Sequence, residues 1–128
     1  MDKILNNKRP LSPHLQIYKP QLTSVMSISH RFTGVILSLL SIIIPIFFIL
    51  LSLGDEYFDL LIVVLNHFLV KLILYGIIFV VFYHLLNGIR HLFWDIGMGL
   101  SIRESYLSGY LVIVISIITT LFFIMYIN

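Results

Sequence analysis

Two sets of residues in this sequence have the types and the spacing to do chemistry. Ser27, Arg31, Gly34 and Ser38 stand at offsets 0, 4, 7 and 11, and His84, Gly88, His91 and Asp95 repeat those offsets. On an α-helix such offsets share one face. Ser24, Ser41 and Pro45 extend the first stripe, with His30 at its edge; Asn87 edges the second, with Arg90 on the other side. A neutral imidazole such as His84 is a good axial ligand for haem iron, and Gly88, one turn on, leaves room for the macrocycle edge. Anionic propionates suit the shallower His30, Arg31 and His91. A hydroxyl beside a guanidinium, as in Ser27 and Arg31, can donate hydrogen bonds to a quinone carbonyl and stabilise charge as it is reduced.

The elements that position these residues are set by lipid. Of 128 residues, 59% are hydrophobic and only 11% are charged, with a mean hydropathy of +1.05. That is far from a soluble domain. A span needs about 20 apolar residues, and three stretches qualify. The sequence therefore predicts an all-α membrane protein of three transmembrane helices, with spans near 24–53, 60–95 and 105–127. Residues 1–22 are read as a polar cytoplasmic segment, kept from regular helix by Pro10, Pro13 and Pro20, and residues 23–128 as the membrane domain. Thr23 and Ser24 are the expected helix caps, Gly54-Asp55-Glu56 the first break, and Gly97 and Gly99 the second. Pro45 is expected to bend the first helix by freeing the carbonyl of Ser41. No repeat or low-complexity linker is present.

Charge gives the orientation. Lys3, Lys8, Arg9 and Lys19 precede the first span, and Arg90 and Arg103 flank the loop after the second. The loop between the first two spans carries Asp55, Glu56 and Asp59 and no Lys or Arg. Basic residues stay inside, so the N-terminus and second loop are expected in the cytoplasm and the C-terminus on the outer side. His84 lies six residues inside Arg90, about 9 Å deeper into the membrane. Because the helices are antiparallel, both stripes fall in the cytoplasmic half.

Other classes are excluded or weakened. Cysteine is absent, which removes disulfides, iron–sulfur ligation and covalent haem attachment. There is no Gly-rich nucleotide motif, and a net charge of +2 gives no reason to expect nucleic acid. The N-terminus lacks the marks of a signal or transit peptide, which favours a bacterial inner membrane over a mitochondrial one. Taken alone, Arg31 reads equally as a snorkelling cation, and a lone buried histidine is more often a helix–helix hydrogen bond than a ligand. Two stripes at one depth, each beside glycine, shift that balance. Lys71 reads as snorkelling outward, His67 as too far from His84 to share a site, and His14 as a contact for a soluble partner. Gly109, Ser116 and Thr120 read as packing positions. A haem site still lacks a second axial ligand and a quinone site lacks an electron donor, so partner chains are expected.

The sequence resembles the cytochrome b556 membrane-anchor subunits of succinate dehydrogenase, respiratory complex II. Two blocks carry the likeness: Arg9-Pro10-Leu11-Ser12-Pro13-His14-Leu15 leading to Ser27-Ile28-Ser29-His30-Arg31-Phe32-Thr33-Gly34, and His84 to Gly97 with its H-x-x-x-G-I-R-H-x-x-x-D-x-G pattern. The third helix matches in hydropathy alone. The resemblance implies that His84 is an axial ligand of haem b, shared with a second membrane-anchor subunit that gives the other ligand. It implies that Ser27 and Arg31 line a ubiquinone site, and that His30, Arg31 and His91 approach the haem propionates. It also implies an iron–sulfur subunit and a flavoprotein subunit as partners. A haem-free structural anchor of the fumarate reductase type is the alternative. A small transporter is a third reading, opposed by the few polar residues (Asn66, His67, Lys71) in the outer half.

Overall fold

The computed structural model describes residues 19–127. The basic N-terminal stretch, with His14 and the Arg9–Leu15 block, lies outside the described residues. Among the described residues there are no strands and four helices: α1 (Leu22–Ser52), α2 (Asp55–Asn66), α3 (Phe68–Asp95) and α4 (Ile102–Ile127). In hydrocarbon only a helix or a closed barrel satisfies its own backbone. Three of these helices, α1, α3 and α4, are long and apolar enough to cross a membrane.

Helix α1 begins earlier than its polar residues suggest. Gln21, not Thr23 or Ser24, is the capping residue; it has ψ 151° and makes no side-chain cap bond. Its carbonyl accepts the Val25 N–H at 3.0 Å. Pro20 restricts only the residue before it, so helix can start directly afterwards, and Thr23 and Ser24 fall inside the first turn. The helix continues through Pro45 for 31 residues, about 45 Å at 1.5 Å per residue. Gly54 then turns the chain at φ +119°, a conformation that glycine tolerates and other residues rarely adopt.

The apolar run expected as one span over 60–95 is divided. It belongs to α2 and α3, which meet at His67 with ψ 135°. The Asn66 side-chain amide donates to the Ile62 carbonyl at 2.9 Å, a local bond of the kind that competes with helix continuation. The His67 N–H donates to Val64 and its carbonyl accepts from Lys71, at 3.1 and 3.0 Å. The chain therefore changes direction without stranding these backbone groups.

At the other end the turn between α3 and α4 is closed on both sides. Gly97, at φ +81°, donates its N–H to Trp94, and the Met98 N–H reaches Phe93, both at 2.9 Å. This paired reach-back satisfies the last carbonyls of α3. Ser101 and Glu104 then cap α4 reciprocally: the Glu104 N–H donates to the Ser101 hydroxyl, and the Ser101 N–H and hydroxyl donate to the Glu104 carboxylate.

Helices α3 and α4 pack along each other, and α1 packs on both. Their interior is more polar than apolar. Met26, Tyr83 and Val112 are the buried apolar residues, while Thr33, Asn87, Arg90, Ser116 and Thr120 are buried polar ones. Gly109 and Ser116 serve as the expected packing positions. A Cβ on Gly109 would come within 2.8 Å of Met26 Sδ, and Ser116 and Thr120 donate their hydroxyl protons to carbonyls one turn back. Small residues let α1 and α4 approach, as expected where lipid offers no hydrophobic drive between helices.

Arg90 is the bolt of this interior and is only 5% exposed. It donates from Nε to the Ser108 hydroxyl at 3.0 Å, from Nη1 to Asn87 Oδ1 at 3.2 Å and from Nη2 to the Ser105 carbonyl at 2.8 Å. Its guanidinium lies 4.0 Å over the Trp94 ring. Asn87 in turn donates to the Met26 carbonyl at 3.4 Å, which also accepts from the Tyr83 hydroxyl at 3.1 Å. One connected network thus ties α1, α3 and α4. Arg90→Ala is expected to cost about 2–4 kcal/mol of stability, because it strands several buried partners. The check is thermal unfolding of the detergent-solubilised protein, with Arg90→Lys failing to restore the wild-type midpoint.

Candidate functional site

The two stripes face each other at the end where α1 begins and α3 ends. His30 and His84 stack with ring centroids 4.0 Å apart and planes 12° from parallel. His91 lies 5.2 Å from His30 on the same side, and Trp94 meets His91 edge to face at 5.0 Å. Three imidazoles therefore run from the middle of α3 towards its end, interleaved from two helices.

Two glycines make that approach possible. A Cβ on Gly34 would stand 3.2 Å from Cε1 of His84, and one on Gly88 would stand 3.7 Å from Cε1 of His30. The space that Gly88 opens is thus filled by the His30 ring of α1. Gly34 does the equivalent for His84.

The hydrogen bonding of the histidines is unequal. Thr33 donates its hydroxyl proton to the His30 carbonyl at 2.8 Å, and the same oxygen lies 3.0 Å from Nδ1 of His84. The His30 ring has no such partner: its Nδ1 is buried and makes no hydrogen bond among the described residues. A buried polar atom without a partner is uncommon and needs a reason. The atom is enclosed by this chain itself, and His30 borders neither of the two grooves beside it.

Two cavities open from this cluster. The larger, about 770 Å³, is bounded by Arg31, Gly34, Ser38, Ser41 and His84 together with apolar residues of α1. The smaller, about 400 Å³, is bounded by Thr23, Ser24, Ser27, Ile28, Arg31, His91 and Trp94. Both fall in the range of roughly 300–1,000 Å³ typical of small-molecule sites. Arg31 borders both. Among the described residues no group of three or more His, Asp or Glu side chains is arranged to hold a bare metal ion.

All five residues singled out from the sequence are thus brought together: His84 in the deep groove, Ser27 and His91 in the shallow one, Arg31 on both, and His30 between. Asp95, the last member of the second stripe, is exposed and borders neither cavity. Arg90 and Asn87 turn into the protein, towards α4 and α1, and hold the helices rather than line the grooves. Thr33 and Trp94 are the contributors that stripe reasoning missed. Thr33 sits one turn from Arg31's neighbours but off their face, and only the facing helix reveals its partner.

The family described as "Succinate dehydrogenase/Fumarate reductase transmembrane subunit" matches residues 5–123 of this chain. The chain is 47% identical over 115 residues to a succinate dehydrogenase cytochrome b556 subunit from Rickettsia bellii, covering 90% of each chain. It is 42% identical to a cytochrome b560 subunit from Marchantia polymorpha, over 79% of this chain and 77% of that one. A human mitochondrial cytochrome b560 subunit is 37% identical over 94% of this chain and 72% of its own.

The close approach at Gly34 gives a direct test. Gly34→Leu is expected to push α1 from α3 and cost about 1–3 kcal/mol by overpacking. Gly34→Ala needs the His84 ring to give by only a few tenths of an ångström. Thermal unfolding of the two variants in detergent should rank them Ala above Leu.

Proposed function

Since the chain belongs to the family of succinate dehydrogenase and fumarate reductase transmembrane subunits, we propose that it anchors a succinate:ubiquinone oxidoreductase in the membrane and shares its haem b and quinone sites. The observation that carries this reading is the convergence of His84, His30, Arg31, His91 and Ser27 at one end of two antiparallel helices. The relatives' names contain cytochrome b, and the residues fit such a group. His84 offers an imidazole to iron, while Arg31 and His91 on the groove walls, with His30 between them, offer donors to propionates. When bound, haem supplies a one-electron carrier within the membrane.

The rest is the work of this chain's own side chains. The hydroxyl of Ser27 donates a hydrogen bond to a quinone carbonyl in the shallow cavity. Arg31 offsets the negative charge that builds on that oxygen as electrons arrive. His91 and Trp94 line the same groove. No flavin or iron–sulfur ligands are present in the sequence, so electrons from succinate enter through a flavoprotein and an iron–sulfur partner. The second iron ligand comes from a second anchor subunit. The cluster lies at the end carrying Lys19, Arg90 and Arg103, opposite Asp55, Glu56 and Asp59. The positive-inside rule then puts it on the cytoplasmic side of a bacterial inner membrane. A transporter reading is disfavoured because the outer half of the helices offers mainly Asn66, His67 and Lys71 as polar residues.

The test uses the assembled complex purified from membranes. His84→Ala should abolish or reshape the b-type band of the reduced-minus-oxidised spectrum, and a band unchanged in that variant rules out the ligand. Ser27→Ala and Arg31→Ala should each lower succinate-driven quinone reduction by at least about tenfold while assembly stays intact. Normal turnover in both would count against the quinone site.

A further inference from the structure

We propose that Thr33 is the positioning residue that fixes the tautomer of His84 and turns its Nε2 lone pair outward as the ligand atom. This inference rests on the reading that His84 binds haem iron, and it adds what decides which nitrogen does so.

A threonine hydroxyl has one proton and two lone pairs. The His30 carbonyl, 2.8 Å away, can only accept, while Nδ1 of His84 can donate or accept; giving the hydroxyl proton to the carbonyl is the assignment that makes both contacts hydrogen bonds. What remains on Oγ1 is acceptor capacity, and it faces Nδ1 of His84 at 3.0 Å. Two acceptors at that distance repel, so Nδ1 carries the hydrogen and donates it. A neutral imidazole has one N–H; with Nδ1 protonated, Nε2 holds the lone pair. The chain His84 Nδ1–H to Thr33 Oγ1–H to the His30 carbonyl is continuous and directional. Metal-bound histidines commonly give their other N–H to such a partner, which fixes the ring and raises its basicity.

The setting makes this bond durable. Thr33 is buried, at 6% exposure, so water competes poorly for either partner. Its β-branch limits χ1 rotation, and the carbonyl that receives its proton belongs to its own helix, three residues back. Gly34 adds no side chain beside the His84 ring, where a Cβ would already stand 3.2 Å from Cε1. Stacking on His30, 4.0 Å away, sets the plane of the ring, and the bond to Thr33 selects which nitrogen carries the hydrogen within it. An imidazole that donates from Nδ1 is the more electron-rich at Nε2. It favours ferric over ferrous iron and so holds the midpoint potential down.

The experiment compares the purified complex carrying wild-type chain, Thr33→Val, Thr33→Ser and His84→Ala. Valine keeps the shape and loses the hydroxyl; serine keeps the hydroxyl. Two quantities are read: the haem midpoint potential by redox titration, and the rate at which haem passes to excess apomyoglobin. Thr33→Val should assemble, raise the midpoint potential and release haem at least about tenfold faster, and Thr33→Ser should restore both. A merely structural role would alter assembly without moving the potential. Unchanged potential and release in Thr33→Val, with the band still lost in His84→Ala, overturns the Thr33 assignment and leaves the haem reading standing. A wild-type complex without the band, or a band indifferent to His84→Ala, overturns the haem reading itself. If Thr33→Val does not accumulate, Thr33→Cys takes its place; sulfur is a weak acceptor, so its potential must also rise, and an unchanged value overturns the proposal.

Discussion

A guanidinium buried between three helices constrains this protein more than any other single group. Arg90 cannot be left unsatisfied in a low-dielectric interior, so α4 must offer it the Ser105 carbonyl and the Ser108 hydroxyl, and α3 must offer Asn87. Asn87 passes the constraint on to the Met26 carbonyl of α1. Sliding or turning α1 along α3 would break that chain of bonds. The same relation of α1 to α3 brings the His30 and His84 rings into contact. The histidine cluster is therefore held in place by hydrogen bonds of Arg90, Asn87 and Tyr83, none of which borders either groove.

The buried side chains of the bundle are more often polar than apolar, while large apolar side chains cover its outside. Ile28, Phe32, Val35, Leu39 and Ile42 of α1 are all exposed, as is most of the helix beyond Gly34. Hydrophobic burial does not drive helices together within lipid, so close packing at glycine and hydrogen bonding at hydroxyls decide which faces meet. The face that remains open on α1 borders the groove beside His84. That open apolar face agrees with a subunit of a larger assembly.

The helix content and the two stripes were legible in the sequence because both depend on period and composition. Twenty-odd apolar residues in lipid have few alternatives to helix, and offsets of 4, 7 and 11 share a face whatever lies opposite. The break at His67 was not legible by hydropathy, since the apolar run continues across it. Its trace is the polar pair Asn66-His67, whose side-chain bond to Ile62 substitutes for helical continuation. The true start of α1 at Leu22 was also missed, because residues able to cap stood just inside it.

What the sequence alone determined is the class of the molecule, the two helix faces that carry its clustered histidines, arginine and serines, and the residue types available there. Those follow from local periodicity and from the cost of polar groups in hydrocarbon. Only the tertiary structure decided how the residues divide the labour. Asn87 and Arg90 lie beside the His84 stripe in sequence yet turn to neighbouring helices, and Thr33, off the Ser27–Arg31 face, meets Nδ1 of His84 across 51 positions of chain. The physical reason is that a hydrogen bond between helices depends on their rotation and offset. Those are set by where glycine allows approach and where buried donors demand acceptors, and no spacing within one helix records them.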